Sequence, residues 1–277
     1  MTYKQYHFTP VTEEENDLLI ALLSPLGFTG FEEASQSLYA FIPARNLNEE
    51  IELKVKEIGI SYSVSSINEK NWNEEWERGF HPVDIPGQLN VPFVHIRADF
   101  HEPQNRSPFE LVITPKMSFG TGHHETTFLM VQWMEDIDFR NKRVIDFGTG
   151  TGVLGILASK MGASYVLGID NDEWSINNAL ENVSKNGAGT MELLHASLFE
   201  GGPADVILAN INLNIILENI NAMFAACNAD GTILISGLMK EDEPKLREAL
   251  SEKNCKLTVR DRGNWIAVRI YKLDCSS

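Results

Sequence analysis

Residues 144–154 read Val144-Ile145-Asp146-Phe147-Gly148-Thr149-Gly150-Thr151-Gly152-Val153-Leu154, an apolar strand that enters closely spaced glycines and then a helix. Glycine lets backbone N–H groups approach a ligand closely, and a helix N-terminus favours electronegative atoms. A dinucleotide-binding loop would read Gly-x-Gly-x-x-Gly. Gly148 and Gly150 fit that spacing, but the final position is Val153. The pattern present is Asp-x-Gly-x-Gly-x-Gly, and its acid selects the ligand. A carboxylate at Asp146 repels a pyrophosphate, whereas a zwitterionic amino-acid moiety can use it through its ammonium or an ordered water.

Twenty residues beyond Gly150, the next strand ends Gly168-Ile169-Asp170. A carboxylate at that place suits bidentate hydrogen bonding to ribose hydroxyls. A ribose and an amino acid without phosphate describe S-adenosylmethionine. A later apolar run, Asp205-Val206-Ile207-Leu208-Ala209, delivers Asn210 to the carboxyl edge of the sheet, where α/β folds place ligands. An asparagine there can accept from an incoming amine and hold its lone pair toward a methyl group, so Asn210 is the candidate catalytic residue. The competing reading is a helix cap, a common use of asparagine. Upstream lies Met117-Ser118-Phe119-Gly120-Thr121-Gly122-His123-His124-Glu125-Thr126-Thr127. No Gly-Lys-Ser/Thr follows, so it is not a Walker loop. Adjacent His123 and His124 cannot share one helical metal face, and no metal site is expected. The loop is expected to fold over the ligand, with Phe119 stacking and Thr126 or Thr127 hydrogen-bonding from a helix start.

Around these motifs, strand patterns at 91–99, 109–114, 144–145, 165–169, 205–209 and 232–236 alternate with helical patterns at 124–135, 153–161, 173–186, 213–227 and 241–253. Apolar strands interleaved with helices predict a Rossmann-like α/β domain with a buried parallel sheet. The final stretch, 256–271, has no crossover helix and is expected to close the sheet as an antiparallel hairpin. The first seventy residues differ. Strands near 3–8, 36–43 and 60–67 flank helical patterns at 12–26, with Leu18, Leu19, Leu22, Leu23 and Leu26 at helical spacing, and at 48–59. The order β-α-β-α-β predicts a small α+β, ferredoxin-like module, which holds no catalytic constellation of its own. Between the two, Trp72, Trp76 and Phe80 fall on one face of a short helix that Pro82 ends. The expected division is residues 1–70 as a recognition domain, 71–90 as linker helix and loop, and 91–277 as the catalytic domain.

The chain has 277 residues, and 39 acidic against 23 basic side chains give a formal charge of −16. That balance excludes a protein living on nucleic acid, where a basic face is expected; it suits a basic protein partner. Three cysteines without a Cys-x-x-Cys motif form neither a disulfide framework nor a zinc cluster. With no signal-peptide pattern and no apolar run near 18 residues, a cytoplasmic protein without membrane association is expected.

Taken together, these segments resemble one family, the bacterial methyltransferases of large-subunit ribosomal protein eleven. The likeness rests on Phe119-Gly120-Thr121-Gly122-His123-His124-Glu125-Thr126-Thr127, on Ile145 to Gly152, and on Ala209-Asn210-Ile211. The Trp72, Trp76, Phe80, His81, Pro82 segment also matches, so the resemblance covers nearly the whole chain. It implies a class I methyltransferase domain behind a substrate-recognition domain. The implied reaction moves methyl groups from S-adenosylmethionine to the N-terminal α-amine and lysine side chains of the ribosomal protein. Cofactor contacts carry over to Thr127, Gly148, Asp170 and Asn210, beside Phe119, Asp146 and Gly150 from the loop patterns. Thr149 and Thr151 stand where many relatives have Cys and Ser, and Asn212 where Leu is usual. A monomer acting on the basic ribosomal protein free of the ribosome is expected. The rival readings are an RNA methyltransferase, a nicotinamide-dependent oxidoreductase using Gly148, Gly150 and Asp170, and a scaffold without chemistry.

Overall fold

The computed structural model describes residues 2–34, 36–68, 80–88, 91–104, 106–114, 116 and 118–273. It divides into two compact units, Met1–Arg78 and Gly79–Ser277. The first contains β1 (Thr2–Phe8), α1 (Glu13–Leu23), β2 (Gly30–Ala34), β3 (Ser37–Pro43), α2 (Glu49–Glu57) and β4 (Tyr62–Asn68). Its sheet runs β2-β3-β1-β4, antiparallel throughout. This is the β-α-β-β-α-β ferredoxin-like arrangement, with one strand more than the sequence patterns indicate. The unforeseen strand is β2, an edge strand whose Glu32 and Glu33 are exposed and give no apolar signal. Leu38, Ala40 and Ile42 of β3 alternate into the core with Tyr6, Phe8, Leu19, Leu23 and Val55. Leu18 and Leu22 of the leucine-rich helix instead face outward, 53% and 43% exposed. The entry into α1 is a reciprocal capping box: Thr12 accepts from the Glu15 N–H at 3.3 Å, and the Glu15 carboxylate accepts from the Thr12 N–H at 2.7 Å.

The second unit opens with β5 (Val83–Pro86), β6 (Pro92–Arg97) and β7 (Phe109–Val112), then α3 (Glu125–Met134), β8 (Arg143–Phe147), α4 (Val153–Lys160), β9 (Tyr165–Asp170), α5 (Glu173–Asn186) and β10 (Met191–His195). It continues with β11 (Ala204–Asn210), α6 (Leu213–Ala226), β12 (Cys227–Met239), α7 (Glu243–Ala249), β13 (Cys255–Arg262) and β14 (Trp265–Lys272). Seven strands form the main sheet in the order β10-β9-β8-β11-β12-β14-β13. The first five are parallel, and β14 runs antiparallel between β12 and β13. The closing hairpin of the sequence reading is thus present, with its second strand innermost. Apolar clusters cover both faces of this sheet: Leu129, Ile156, Leu157, Val166 and Leu208 belong to one, and Ile145, Ile207, Ile216, Ile220 and Ile235 to the other.

Two expectations change. The apolar stretches at 91–99 and 109–114 do not join the main sheet. They become β6 and β7 of a separate three-stranded sheet ordered β5-β6-β7, joined by β5, which falls within the 71–90 stretch expected to be linker helix and loop. On its side away from β6, the backbone of β7 is held by a helix. Asn186 of α5 accepts from the Val112 N–H at 2.9 Å and donates to its carbonyl at 2.7 Å. The expected helix carrying Trp72, Trp76 and Phe80 lies, up to residue 79, outside the described residues. Phe80 is buried, stacked on His101 at 6.1 Å and edge-on to His123 at 4.8 Å.

Candidate active site

The parallel strands β8, β9, β10 and β11 end at one edge, and a cleft of about 290 Å³ lies there. It is lined by Phe119, Phe147, Gly148, Gly150, Asp170, Asn171, Ser175, Ala196, Ser197, Asn210, Ile211, Asn212 and Ile215. Five of the residues singled out in the sequence, Phe119, Gly148, Gly150, Asp170 and Asn210, meet in this wall. Asp146 and Thr127 stand outside the lining.

The glycine loop is fixed from below and from above. Gly148 and Thr149 both donate backbone N–H groups to the Ile169 carbonyl, at 2.8 and 2.9 Å. The Gly150 N–H donates to Asp170 Oδ2 at 2.8 Å, so the carboxylate expected at the ribose also orders the loop. A side chain at Gly148, where φ is +76°, would run into the Ile211 methyl, and one at Gly150 into the Phe119 carbonyl. The loop therefore needs glycine at both places, for space as well as for conformation. From above, Thr151 donates its hydroxyl to the Gly120 carbonyl at 2.7 Å, and its N–H to the Phe119 carbonyl at 2.9 Å. These bonds clamp the 118–124 loop onto the glycine loop.

Asp146 is 1% exposed. Its Oδ2 accepts from the Thr149 hydroxyl at 2.7 Å and from the Gly155 N–H in the first turn of α4 at 3.0 Å. Oδ1 is buried with no partner. Burial pushes the carboxyl up to about 6, against the lowering effect of the two hydrogen bonds, and the nearby Asp170 charge adds to the rise. Asp146 thus sits beneath the loop as a brace, a correction to the picture of a carboxylate facing the ligand from within the cleft wall.

Asn210, at the end of β11, donates from Nδ2 to Thr127 Oγ1 at 3.4 Å. Thr127 is fully buried in the first turn of α3 and holds the amide from behind. The Asn210 Oδ1 is a buried acceptor without a donor. The capping role weighed for Asn210 belongs two residues on, to Asn212, whose Oδ1 accepts from the Ile215 N–H at 3.2 Å at the start of α6.

Both histidines of the upper loop are committed to structure. His123 Nε2 donates to the His81 carbonyl at 2.9 Å, and Thr121 Oγ1 lies 3.2 Å from its Nδ1. His124 caps α3, its Nδ1 accepting from the Thr126 hydroxyl at 2.8 Å and the Thr126 N–H at 3.3 Å. The Nδ1 of His124 and both ring nitrogens of His123 are thus taken up within the loop and its neighbours.

Sequence reasoning missed Asn171, Ser175, Ala196 and Ser197, which line the cleft beside Asp170. Ala196 follows β10, a strand no pattern had flagged. It also missed Asn182, fully buried in α5, which accepts from the Thr114 N–H and donates to the Thr151 carbonyl, both at 2.8 Å.

The lining contains a carboxylate and no Lys or Arg. It therefore offers no counter-charge to a pyrophosphate and suits a ligand carrying a cationic sulfonium. The lining combines polar groups at Asp170, Ser197 and Asn210 with Gly148, Gly150 and the apolar Phe119, Phe147 and Ile211, which fits a nucleoside joined to an amino acid. The parallel sheet with its inserted antiparallel strand and this cleft define a class I S-adenosylmethionine-dependent methyltransferase.

Comparisons with known proteins narrow the class. The family model described as Ribosomal protein L11 methyltransferase (PrmA) matches residues 28–272. The ribosomal protein L11 methyltransferase of Porphyromonas gingivalis is 40% identical, covering 93% of this chain and 91% of its own. That of Phocaeicola vulgatus is 36% identical, covering 97% and 99%. Among solved structures, the ribosomal protein L11 methylase of Lactobacillus delbrueckii subsp. bulgaricus superposes with a TM-score of 0.63 at 29% identity, over 70% of this chain and all of that one. The chain belongs to the ribosomal protein L11 methyltransferase family.

Proposed function

We propose that this chain transfers methyl groups from S-adenosylmethionine to the N-terminal α-amine and lysine ε-amines of ribosomal protein L11, acting as a monomer on the free protein. The observation that carries the reading is the Asn210 amide in the cleft wall, its Oδ1 a buried acceptor without a donor. Leaving such an acceptor unmade costs about 1–3 kcal/mol, so a donor from the bound reactants completes it. When bound, the cofactor supplies an electrophilic methyl on a sulfonium sulfur. Asp170 and the Gly148 and Gly150 backbone hold it, Phe119 covers it, and Thr127 keeps Asn210 in register.

The attacking amine must be neutral. A lysine of pKa near 10.4 is neutral in roughly one part in a thousand near pH 7.4, while an α-amine near 7.7–8 is far readier. Asn210 Oδ1 accepts one amine hydrogen, which favours the free base and directs the lone pair at the methyl carbon. The N–C bond forms as the C–S bond breaks, the sulfur leaves as a thioether, and the new ammonium releases its proton to water. Orientation of this kind lowers a barrier by several kcal/mol. The formal charge of −16 draws a basic ribosomal protein toward the enzyme and repels ribosomal RNA. The small unit Met1–Arg78 is assigned the recognition of that protein.

The test incubates the enzyme with tritiated S-adenosylmethionine and, separately, purified ribosomal protein L11, intact large subunits and ribosomal RNA. Mass steps of one methyl each on free L11, faster than on the subunits, support the reading. Label on RNA alone overturns the substrate, and bound cofactor without transfer to any of them overturns the activity.

A further inference from the structure

The closing hairpin does more than finish the sheet. Its tip, Arg262-Gly263-Asn264-Trp265, is anchored to the end of β12. The Lys240 N–H donates to the Asn264 carbonyl at 3.0 Å, Lys240 Nζ pairs with Asp261 at 2.7 Å, and Met239 faces Trp265 in the ladder. From this base the tip reaches the start of α3 and the loop above the cleft. The Trp265 ring meets His124 edge-on at 4.8 Å, and His124 meets Phe119 edge-on at 5.2 Å. Arg262 pairs with Glu125 and lies 3.6 Å over the Phe128 ring.

Every element touched this way leads to the cleft. Phe119 is in its wall, half exposed at 51%, and the bonds from Thr151 grip the backbone there, not the ring. His124, Glu125 and Phe128 belong to the cap and first turn of α3, the turn that presents Thr127 to Asn210. Edge-to-face ring contacts have a preferred geometry, so a Trp265–His124–Phe119 row restricts where the Phe119 ring stands. The cation over Phe128, with its carboxylate partner, fixes the same turn from its outer side.

We propose that Trp265 and Arg262 are positioning residues for methyl transfer: through His124 they set the Phe119 ring over the cofactor, and through the first turn of α3 they set the Thr127–Asn210 pair. This deepens the function proposed above and rests on it for the transfer step, while the cofactor step stands apart from the identity of the substrate.

The experiment compares Trp265→Ala, Trp265→Leu, Trp265→Phe and Arg262→Ala in the full chain. It reads S-adenosylhomocysteine affinity by calorimetry, kcat and KM with ribosomal protein L11, and the melting temperature without ligand. Trp265→Ala and Trp265→Leu are expected to weaken S-adenosylhomocysteine binding about tenfold and to lower kcat, while KM for the protein substrate stays within twofold. Trp265→Phe restores both, because it keeps an aromatic edge. Arg262→Ala lowers kcat with a smaller change in affinity. If Trp265→Leu matches the parent in affinity and kcat, the ring contact has no positioning role and the proposal is overturned. Should Trp265→Ala fail to fold, the Leu and Phe pair decides the matter alone. Weakened S-adenosylhomocysteine binding by the Leu variant, alongside a parent that leaves L11 unmethylated, would uphold the positioning role and sink only the substrate.

Discussion

At the scale of single residues, the site separates groups that face the reactants from groups that hold them. Asn210, in the cleft wall with an unpartnered Oδ1, is the proposed member of the first kind. A hydrogen bond to an ionic or ionising partner contributes about 1.5–3 kcal/mol, so Asn210→Ala should lower kcat about 10- to 100-fold at saturating cofactor. Affinity for S-adenosylhomocysteine should change little, which single-turnover kinetics alongside calorimetry would establish. Asp146 belongs to the second kind, and its titration gives a prediction with a definite sign. Its folded pKa of about 6 lies above the ordinary carboxyl value of 3.8. Between those values the folded state binds more protons than the unfolded one, so this residue's contribution to stability falls as pH rises. An Asp146→Asn variant keeps an oxygen for Thr149 and Gly155 but has no charge to bury. Its stability relative to the parent should grow from about pH 4 to about pH 6 and then level off, by up to about 3 kcal/mol. Denaturant titrations of both proteins across that range would show it; a constant difference would contradict the buried charge. The residues legible in advance were those whose chemistry is local: Gly148, Gly150, Asp170 and Asn210. Asp146 was legible as a residue but not in its direction, since a strand-end carboxylate can face the cleft or the helix behind it. The bond from His123 to the His81 carbonyl is a contact that spacing does not reveal.

Among the elements, α5 ties the glycine loop to the three-stranded sheet. Asn182 bridges the Thr114 N–H and the Thr151 carbonyl, and Asn186 closes on Val112. Glu181 adds Lys116 and Lys185, whose hydrogen bonds hold its carboxyl down to about 2. Replacing Asn182 by Ala strands the buried Thr151 carbonyl and the part-buried Thr114 N–H and should cost about 2 kcal/mol. The denaturation midpoint should fall accordingly; a loss below about 0.5 kcal/mol would mean that water or a shift of the loop replaces both bonds. The strands buried on both faces, β8, β9, β11 and the inner part of β12, announce themselves as continuous apolar runs. The strands that escaped notice are edges or short pieces. β2 carries Glu32 and Glu33, β10 reads Met-Glu-Leu-Leu-His at the end of its sheet, and β5 lies between prolines. An edge strand is half solvated and keeps charge for good reason, so hydropathy alone cannot find it. The stretches at 91–99 and 109–114 were visible as strands, but not their sheet, because pairing depends on partners distant in sequence.

For the whole molecule, charge sets how it meets its substrate. At −16 the enzyme and a basic ribosomal protein attract over distances comparable to the Debye length, about 10 Å at 0.1 M salt. The kcat/KM for L11 should therefore fall as ionic strength rises from about 0.05 to 0.3 M, mainly through association. An uncharged substitute for salt, such as sucrose at equal osmolality, should not reproduce the fall; a flat salt profile would place recognition in apolar contacts instead. The order of strands has a different consequence, one of timing. β14, the last described element, is inserted between β12 and β13, so β13 leaves the ribosome before β14, the strand it pairs with, exists. The same late strand brings Trp265 to the loop over the cleft. During synthesis the chain can assemble β8 through β12, yet the sheet and the mouth of its cleft are completed together, when the last strand slides into a gap already flanked on one side. Until translation has passed residue 272, β12 lacks its pairing with β14 and the loop over the cleft lacks its contact with Trp265.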